Sequence, residues 1–155
     1  MAARRFYKVD KKGRVSVPAG FRAAIADQLY QGVVLFPSAK YQAIEGFDGL
    51  TMENISSRLD EFDMFSSDQD DLATSIFGES IQLAFDGDGR IVLPQHLIKA
   101  TNITDQAAFV GLGRKFQIWS PELLAARKSK AKNNVKEKSL IIPKSRISGG
   151  ADGNN

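Results

Sequence analysis

Residues 10–22 read DKKGRVSVPAGFR, and residues 86–98 read DGDGRIVLPQHLI. Asp, Gly, Arg, an apolar β-like run, Pro and an apolar helix-like start recur in one order. The offset is a constant 76, so Asp86 answers Asp10, Arg90 answers Arg14 and Pro94 answers Pro18. A motif written twice in 155 residues points to a fold built from two like units.

The flanking residues extend each copy. Tyr7 and Val9 alternate with Phe6 and Lys8, and Ile81, Leu83 and Phe85 alternate with Ser80, Gln82 and Ala84. Period-two alternation predicts a strand with one buried face. DKKG and DGDG then predict tight turns, because Asp and Gly tolerate the dihedrals that turns demand. Val15–Val17 and Ile91–Leu93 read as return strands. Pro18 and Pro94 end them and open helices carrying Phe21 and Ile25, or Leu97 and Ile98. VVLF at 33–36 and AAFVGL at 107–112 are the next strands, and KYQAI at 40–44 is answered by KFQIW at 115–119. That last offset is 75, so one residue was lost between the copies. Neither half could bury its apolar faces alone, so the two are expected to interleave into one core.

Between the units, Leu50, Ile55, Leu59 and Phe62 at helical spacing predict a helix over 50–65. A second short helix is expected over 66–78, with Ser67 and Asp70 as a capping box and Gly78 at its end. Ser120-Pro121-Glu122 predicts a helix over 121–128. From about residue 131 periodicity is lost among Lys, Asn, Gly and Ser, which reads as a flexible tail with Leu140–Ile142 as a short docking segment. The expected organisation is a first unit at 1–50, an acidic helical connection at 51–79, a second unit at 80–128 and a basic tail at 129–155.

Composition narrows the function. A hydrophobic fraction of 43% suffices for a core, and without cysteine neither disulfides nor thiolate metal sites can form. No apolar run approaches the ~20 residues that span a bilayer. MAARRFYKVD lacks the apolar segment of a secretion signal, so a soluble, intracellular protein is expected. Charge is segregated by region. Residues 1–22 hold seven basic residues against Asp10, residues 45–71 hold nine acids against Arg58, and residues 127–155 hold eight basic residues against Glu137 and Asp152. Such segregation suggests a polyanionic partner or self-association.

An enzyme is disfavoured. His96 is the sole histidine, so no Cys–His pair, HExxH or multi-histidine metal site exists, and no cofactor is expected. DGDGRIVLPQHL fails as a calcium loop at Arg90 and Leu97, and GLGR at 111–114 lacks the third glycine of a dinucleotide site. A hydrolase built on the Asp-rich segment would lack an organised base or metal set. Two roles remain for each Asp-x-x-x-Arg pair. Asp10 with Gly13, and Asp86 with Gly89 and Arg90, can fix the geometry of a turn. Arg14, beside Lys11 and Lys12, can also meet phosphate or a guanine edge through its planar fork. Asp88 replaces a lysine in the second copy, so the first unit is the better nucleic-acid binder.

DKKGRVSVPAGFR, DGDGRIVLPQHL and FVGLGRKFQIWSPE resemble the MraZ family over roughly residues 5–128. The acidic segment through FDMFSSDQDDLATSIFG is similar to the proteobacterial branch of that family. The N-terminus departs from the family's Phe-x-Gly opening, and the basic tail has no family-wide counterpart. The resemblance implies an α+β fold of two tandem swapped-hairpin units, AbrB-like and related to double-psi barrels, in one pseudo-symmetric core with short helices. It implies a ring-like homo-oligomer in the cytoplasm, associated with the nucleoid. Its partner would be double-stranded DNA, read at tandem short repeats upstream of the division and cell-wall gene cluster to repress transcription. Membrane and small-molecule partners are not expected. The family's DNA-contacting arginine falls on Arg14, and Lys8, Lys11, Lys12 and Arg5 are the expected phosphate contacts around it. The rival expectation is an oligomeric scaffold that binds partners without reading DNA sequence.

Overall fold

The computed structural model describes residues 6–59, 66–113 and 115–143. Arg5, the acids of 60–65 and the residues from 144 onward lie outside the described residues. The chain divides into a unit ending at Leu124 and a second unit from Ala125 onward.

The first copy forms β1 (Phe6–Lys8), β2 (Arg14–Ser16), α1 (Ala19–Ala24), β3 (Gly32–Pro37) and β4 (Ile44–Phe47). Two connecting helices follow, α2 (Gly49–Leu59) and α3 (Ser67–Phe77). The second copy repeats the first order as β5 (Ile81–Ala84), β6 (Arg90–Val92), α4 (Gln95–Thr101), β7 (Gln106–Leu112) and β8 (Lys115–Trp119). The fold is α+β. A curled six-stranded antiparallel sheet runs β1-β7-β8-β4-β3-β5, and β2 and β6 form a two-stranded sheet.

Four of the six strand pairings join one copy to the other: β1 to β7, β2 to β6, β3 to β5 and β4 to β8. Neither copy can therefore complete its ladders alone. In the small sheet Val15 faces Ile91, its own counterpart at offset 76, with Arg14 opposite Val92 and Ser16 opposite Arg90. The loop bonds repeat in kind. Val9 N–H donates to Asp105 C=O at 2.8 Å, and Phe85 N–H donates to Gln31 C=O at 3.0 Å.

The core draws on both copies: Val15, Val17, Leu35 and Ile44 pack in one cluster with Ile91, Leu93, Leu97 and Ile118. Burying each such side chain contributes about 1.5–3 kcal/mol. β3 reads as a continuous apolar run because both of its faces are covered. Val33 and Leu35 enter this cluster, while Val34 and Phe36 pack with Met52 of α2.

The helix ends differ in detail from the sequence expectation. α2 is capped by Asp48, whose Oδ1 accepts from Thr51 N–H at 2.6 Å. The cap of α3 is Ser66, accepting from Gln69 N–H at 3.0 Å, one residue before the expected Ser67. Either serine satisfies the spacing rule, and the chain entering in an extended conformation at Ser66 selects between them. Ser120 Oγ accepts from Leu123 N–H at 3.2 Å and opens α5 (Pro121–Lys138).

α5 continues ten residues past the expected stop at 128. Loss of apolar periodicity after about 131 marks a helix without a buried face, since Lys, Ala and Asn extend a helix without packing. It stops where Ser139 takes a left-handed φ of 50°. Leu140 N–H then reaches Val135 C=O at 3.0 Å, and Ser139 N–H reaches Lys136 C=O at 3.4 Å. Among the described residues no helix is long and apolar enough to cross a membrane.

Candidate nucleic-acid interface

Each repeated turn is organised by its leading aspartate. Asp10 Oδ1 accepts from the N–H groups of Lys12 and Arg14, both at 2.9 Å, and Oδ2 accepts from Arg14 Nε at 2.6 Å. Gly13 N–H donates to Asp10 C=O at 2.9 Å with φ at +85°, a conformation that favours glycine. The second turn repeats these bonds. Asp86 Oδ1 accepts from Asp88 N–H at 2.8 Å and Arg90 N–H at 2.9 Å, and Oδ2 accepts from Arg90 Nε at 2.9 Å.

Both carboxyls titrate below the ordinary value of 3.8. The Arg14 backbone N–H is the main cause at Asp10, reinforced by the Arg14 side chain and the Lys12 N–H. At Asp86 the Arg90 backbone N–H leads, followed by the Asp88 N–H and the Arg90 side chain. Hydrogen bonds to the charged form hold it charged.

The two turns are clamped to each other. Leu93 N–H donates to Gly13 C=O at 2.8 Å, and Val17 N–H donates to Gly89 C=O at 3.1 Å. The arginines nevertheless stand in different electrostatic settings. Arg90 also pairs with Asp88, its Nη2 lying 3.4 Å from Oδ2. Arg14 is held by Asp10 alone among the described residues, and its side chain keeps 37% of its exposure. Lys11 and Lys12 are exposed in the same turn, while Gly87 and Asp88 occupy the matching places in the second. The first turn thus offers a pre-positioned guanidinium with two exposed ammonium groups, and the second a guanidinium neutralised on two sides.

Lys8 is exposed at the end of β1, opposite Gln106. Arg5 lies outside the described residues. His96 is exposed on α4, and among the described residues no group of three His, Cys, Asp or Glu side chains is placed to hold a metal.

Two features escaped the sequence reading. Arg22 on α1 lies over the second turn: its Nε donates to Val17 C=O at 3.1 Å, and its guanidinium covers Gly89. Its counterpart, Ile98, packs beside Gly13 instead, and that mismatch between copies was the available signal. The second feature is a buried polar chain. Gln117 Nε2 donates to Glu45 at 3.2 and 3.3 Å, Trp119 Nε1 donates to Gln117 Oε1 at 2.9 Å, and Lys115 Nζ lies 3.5 Å from Glu45 Oε1. A lone acid within the apolar IEGF strand hinted at it.

The chain as a whole has relatives among known proteins. A family model described as "MraZ protein, putative antitoxin-like" matches residues 76–139. The chain is 43% identical over 134 residues to "Transcriptional regulator MraZ" of Rickettsia typhi, covering 86% of this chain and 90% of that one. It is 46% identical over 114 residues to the protein of that name in Rickettsia akari, covering 74% and 76%. With the Gluconobacter oxydans protein of that name it shares 42% identity over 132 residues, covering 83% and 80%.

Proposed function

Because the chain belongs to the MraZ family of transcriptional regulators, we propose that it binds double-stranded DNA through the first turn. Arg14 reads a base edge or phosphate, and Lys11, Lys12, Lys8 and Arg5 hold the backbone around it. The target is a set of tandem short repeats upstream of the division and cell-wall gene cluster, and the outcome is repression. The working form is a ring-like homo-oligomer in the cytoplasm, associated with the nucleoid. Its core is pseudo-symmetric and related to the double-psi barrel, a reading supported by the constant offset and the reciprocal bonds of Gly13 and Gly89.

The observation that carries this reading is the contrast between Arg14 and Arg90. Asp10 orients Arg14 through Nε and leaves its terminal amines without another partner among the described residues. A planar fork with free donors is what bidentate recognition of guanine or phosphate requires. Two neighbouring lysines add an attraction independent of sequence.

Arg14→Ala tests it. Removing one bidentate interaction costs about 1–3 kcal/mol per subunit, multiplied where several subunits engage a repeat array. Binding to a repeat-bearing duplex should collapse while the circular dichroism and unfolding of the variant stay near wild type. A folded variant with wild-type affinity removes Arg14 from the interface.

A further inference from the structure

α5 carries Arg127, Lys128, Lys130, Lys132, Lys136 and Lys138 against two acids, Glu122 and Glu137. Its lysines are all exposed, and beyond the buried Leu124 of its first turn the helix has no apolar face, an arrangement ordinarily sustained by opposite charges three or four residues apart. None is available here. Three or four residues from Glu122 stand Ile118, Trp119, Ala125 and Ala126, and from Glu137 stand Asn133, Asn134, Leu140 and Ile141. Instead Lys128, Lys132 and Lys136 follow one another at spacings of four, which stacks like charges on one face about 6 Å apart along the axis. Like charges at that spacing weaken a helix. None of the three has an ion-pair partner among the described residues. The helix dipole accounts for Lys136 and Lys138 in the last turn, but not for Lys128 or Lys132. A long polyanion resolves the repulsion, since each phosphate neutralised releases condensed counterions.

We propose that the Lys128–Lys132–Lys136 face of α5 is a second DNA-contacting surface, which binds duplex phosphates without regard to base sequence. This rests on the reading of the chain as a DNA-binding regulator and adds to it a division of labour. The turn at Arg14 selects the site, and α5 supplies affinity common to all duplexes. The occupant is duplex DNA in preference to an apolar partner because the stripe offers charge and little else.

The test is the full-length triple variant K128Q/K132Q/K136Q, since glutamine keeps the helix propensity of lysine while removing its charge. The probes are a duplex bearing the tandem repeats and a scrambled duplex of equal length and base composition, each titrated over a range of salt. The variant should bind both duplexes about tenfold or more weakly near 0.1 M salt, and the slope of log affinity on log salt should become shallower by about 0.9 for each phosphate no longer neutralised. The ratio of specific to scrambled affinity should stay unchanged, and the triple arginine variant should retain both affinities. Unchanged affinity and slope overturn the proposal. So does a variant whose mass by light scattering falls while its DNA binding per subunit is kept, which would assign the stripe to an acidic face of a second copy. A wild-type chain that binds neither duplex overturns the parent reading as well. That outcome is distinct, because it precedes any substitution in α5.

Discussion

Arg22 lies across Gly89: a Cβ built at Gly89 would come within 2.7 Å of the Arg22 guanidinium. A helix of the first copy thus closes over the turn of the second. At the matching place Gly13 meets backbone, because its Cβ would fall 2.7 Å from the carbonyl oxygen of Leu93. Both glycines have positive φ, +74° and +85°. Alanine at either position incurs the backbone penalty of about 1 kcal/mol. A guanidinium can swing aside, whereas a backbone carbonyl whose own residue is hydrogen-bonded to Gly13 cannot. Gly13→Ala should therefore lower the denaturant midpoint clearly more than Gly89→Ala, and the reverse order would mean that the clamp between the turns is not rigid.

Asp88 is the residue that separates the second turn from the first. It draws Arg90 at 3.4 Å and stands where Lys12 stands in the first copy. Asp88→Lys should raise affinity for random duplex DNA, most at low salt, where exposed charges are least screened. Arg90→Ala should loosen the fold more than it weakens DNA binding. An Arg90→Ala protein that stays fully assembled and stable yet fails to bind would contradict the asymmetry between the turns.

Acid should unfold the protein partly through the two turns. Asp10 and Asp86 have folded values depressed below 3.8 by the N–H groups and arginines that bond them. The stability they contribute is fully present above the unfolded value and is lost as pH falls through the folded one, a window from about pH 4 downward. The melting temperature of the wild type should drop more steeply between about pH 5 and about pH 2 than that of an Asp10→Asn/Asp86→Asn variant. Parallel curves would place the acid sensitivity elsewhere.

Gln117→Leu should destabilise the fold without touching the turns. It strips the buried Glu45 of its amide donor and the Trp119 indole of its acceptor. The indole N–H left without its acceptor costs about 1–3 kcal/mol, while Glu45 keeps the Lys115 ammonium at 3.5 Å. Chemical denaturation measures the effect. DNA affinity per folded molecule should hold, and a parallel fall in binding would couple β4 and β8 to the interface.

Low-salt light scattering addresses assembly. A contact between unlike surfaces closes into a ring when its rotation allows. α3 exposes Asp68, Asp70 and Asp71, which could meet the basic groups of a neighbour, while the remaining expected acids at 60–65 lie outside the described residues. The mass should be oligomeric at low salt and should shift with salt or with repeat-bearing duplex. A monomer at low salt would end the ring reading, and a mass indifferent to both would end any competition between subunit association and DNA.

The repeat, the element order and the organising role of Asp10 and Asp86 were legible in the sequence, because they depend on local rules. Alternation makes strands, Asp and Gly make turns, and Pro opens helices whatever else is nearby. Apolar strand faces too extensive for either half to bury alone even implied that the copies share a core. The sequence could not say which strand lies beside which. Placing β1 against β7 and β3 against β5 is a long-range pairing that no local preference encodes. The same holds for Arg22 over Gly89 and for Glu45 beside Gln117, residues 67 and 72 positions apart. The length of α5 escaped for the opposite reason: it needs no burial, so no apolar period announced it. What the sequence determined by itself was the two units and their turns. The substitution of Asp88 for a lysine already set the two turns apart in sequence. The tertiary structure decided how each arginine is held, because only the folded turn brings Arg14 onto Asp10 alone, among the described residues, and Arg90 onto both Asp86 and Asp88.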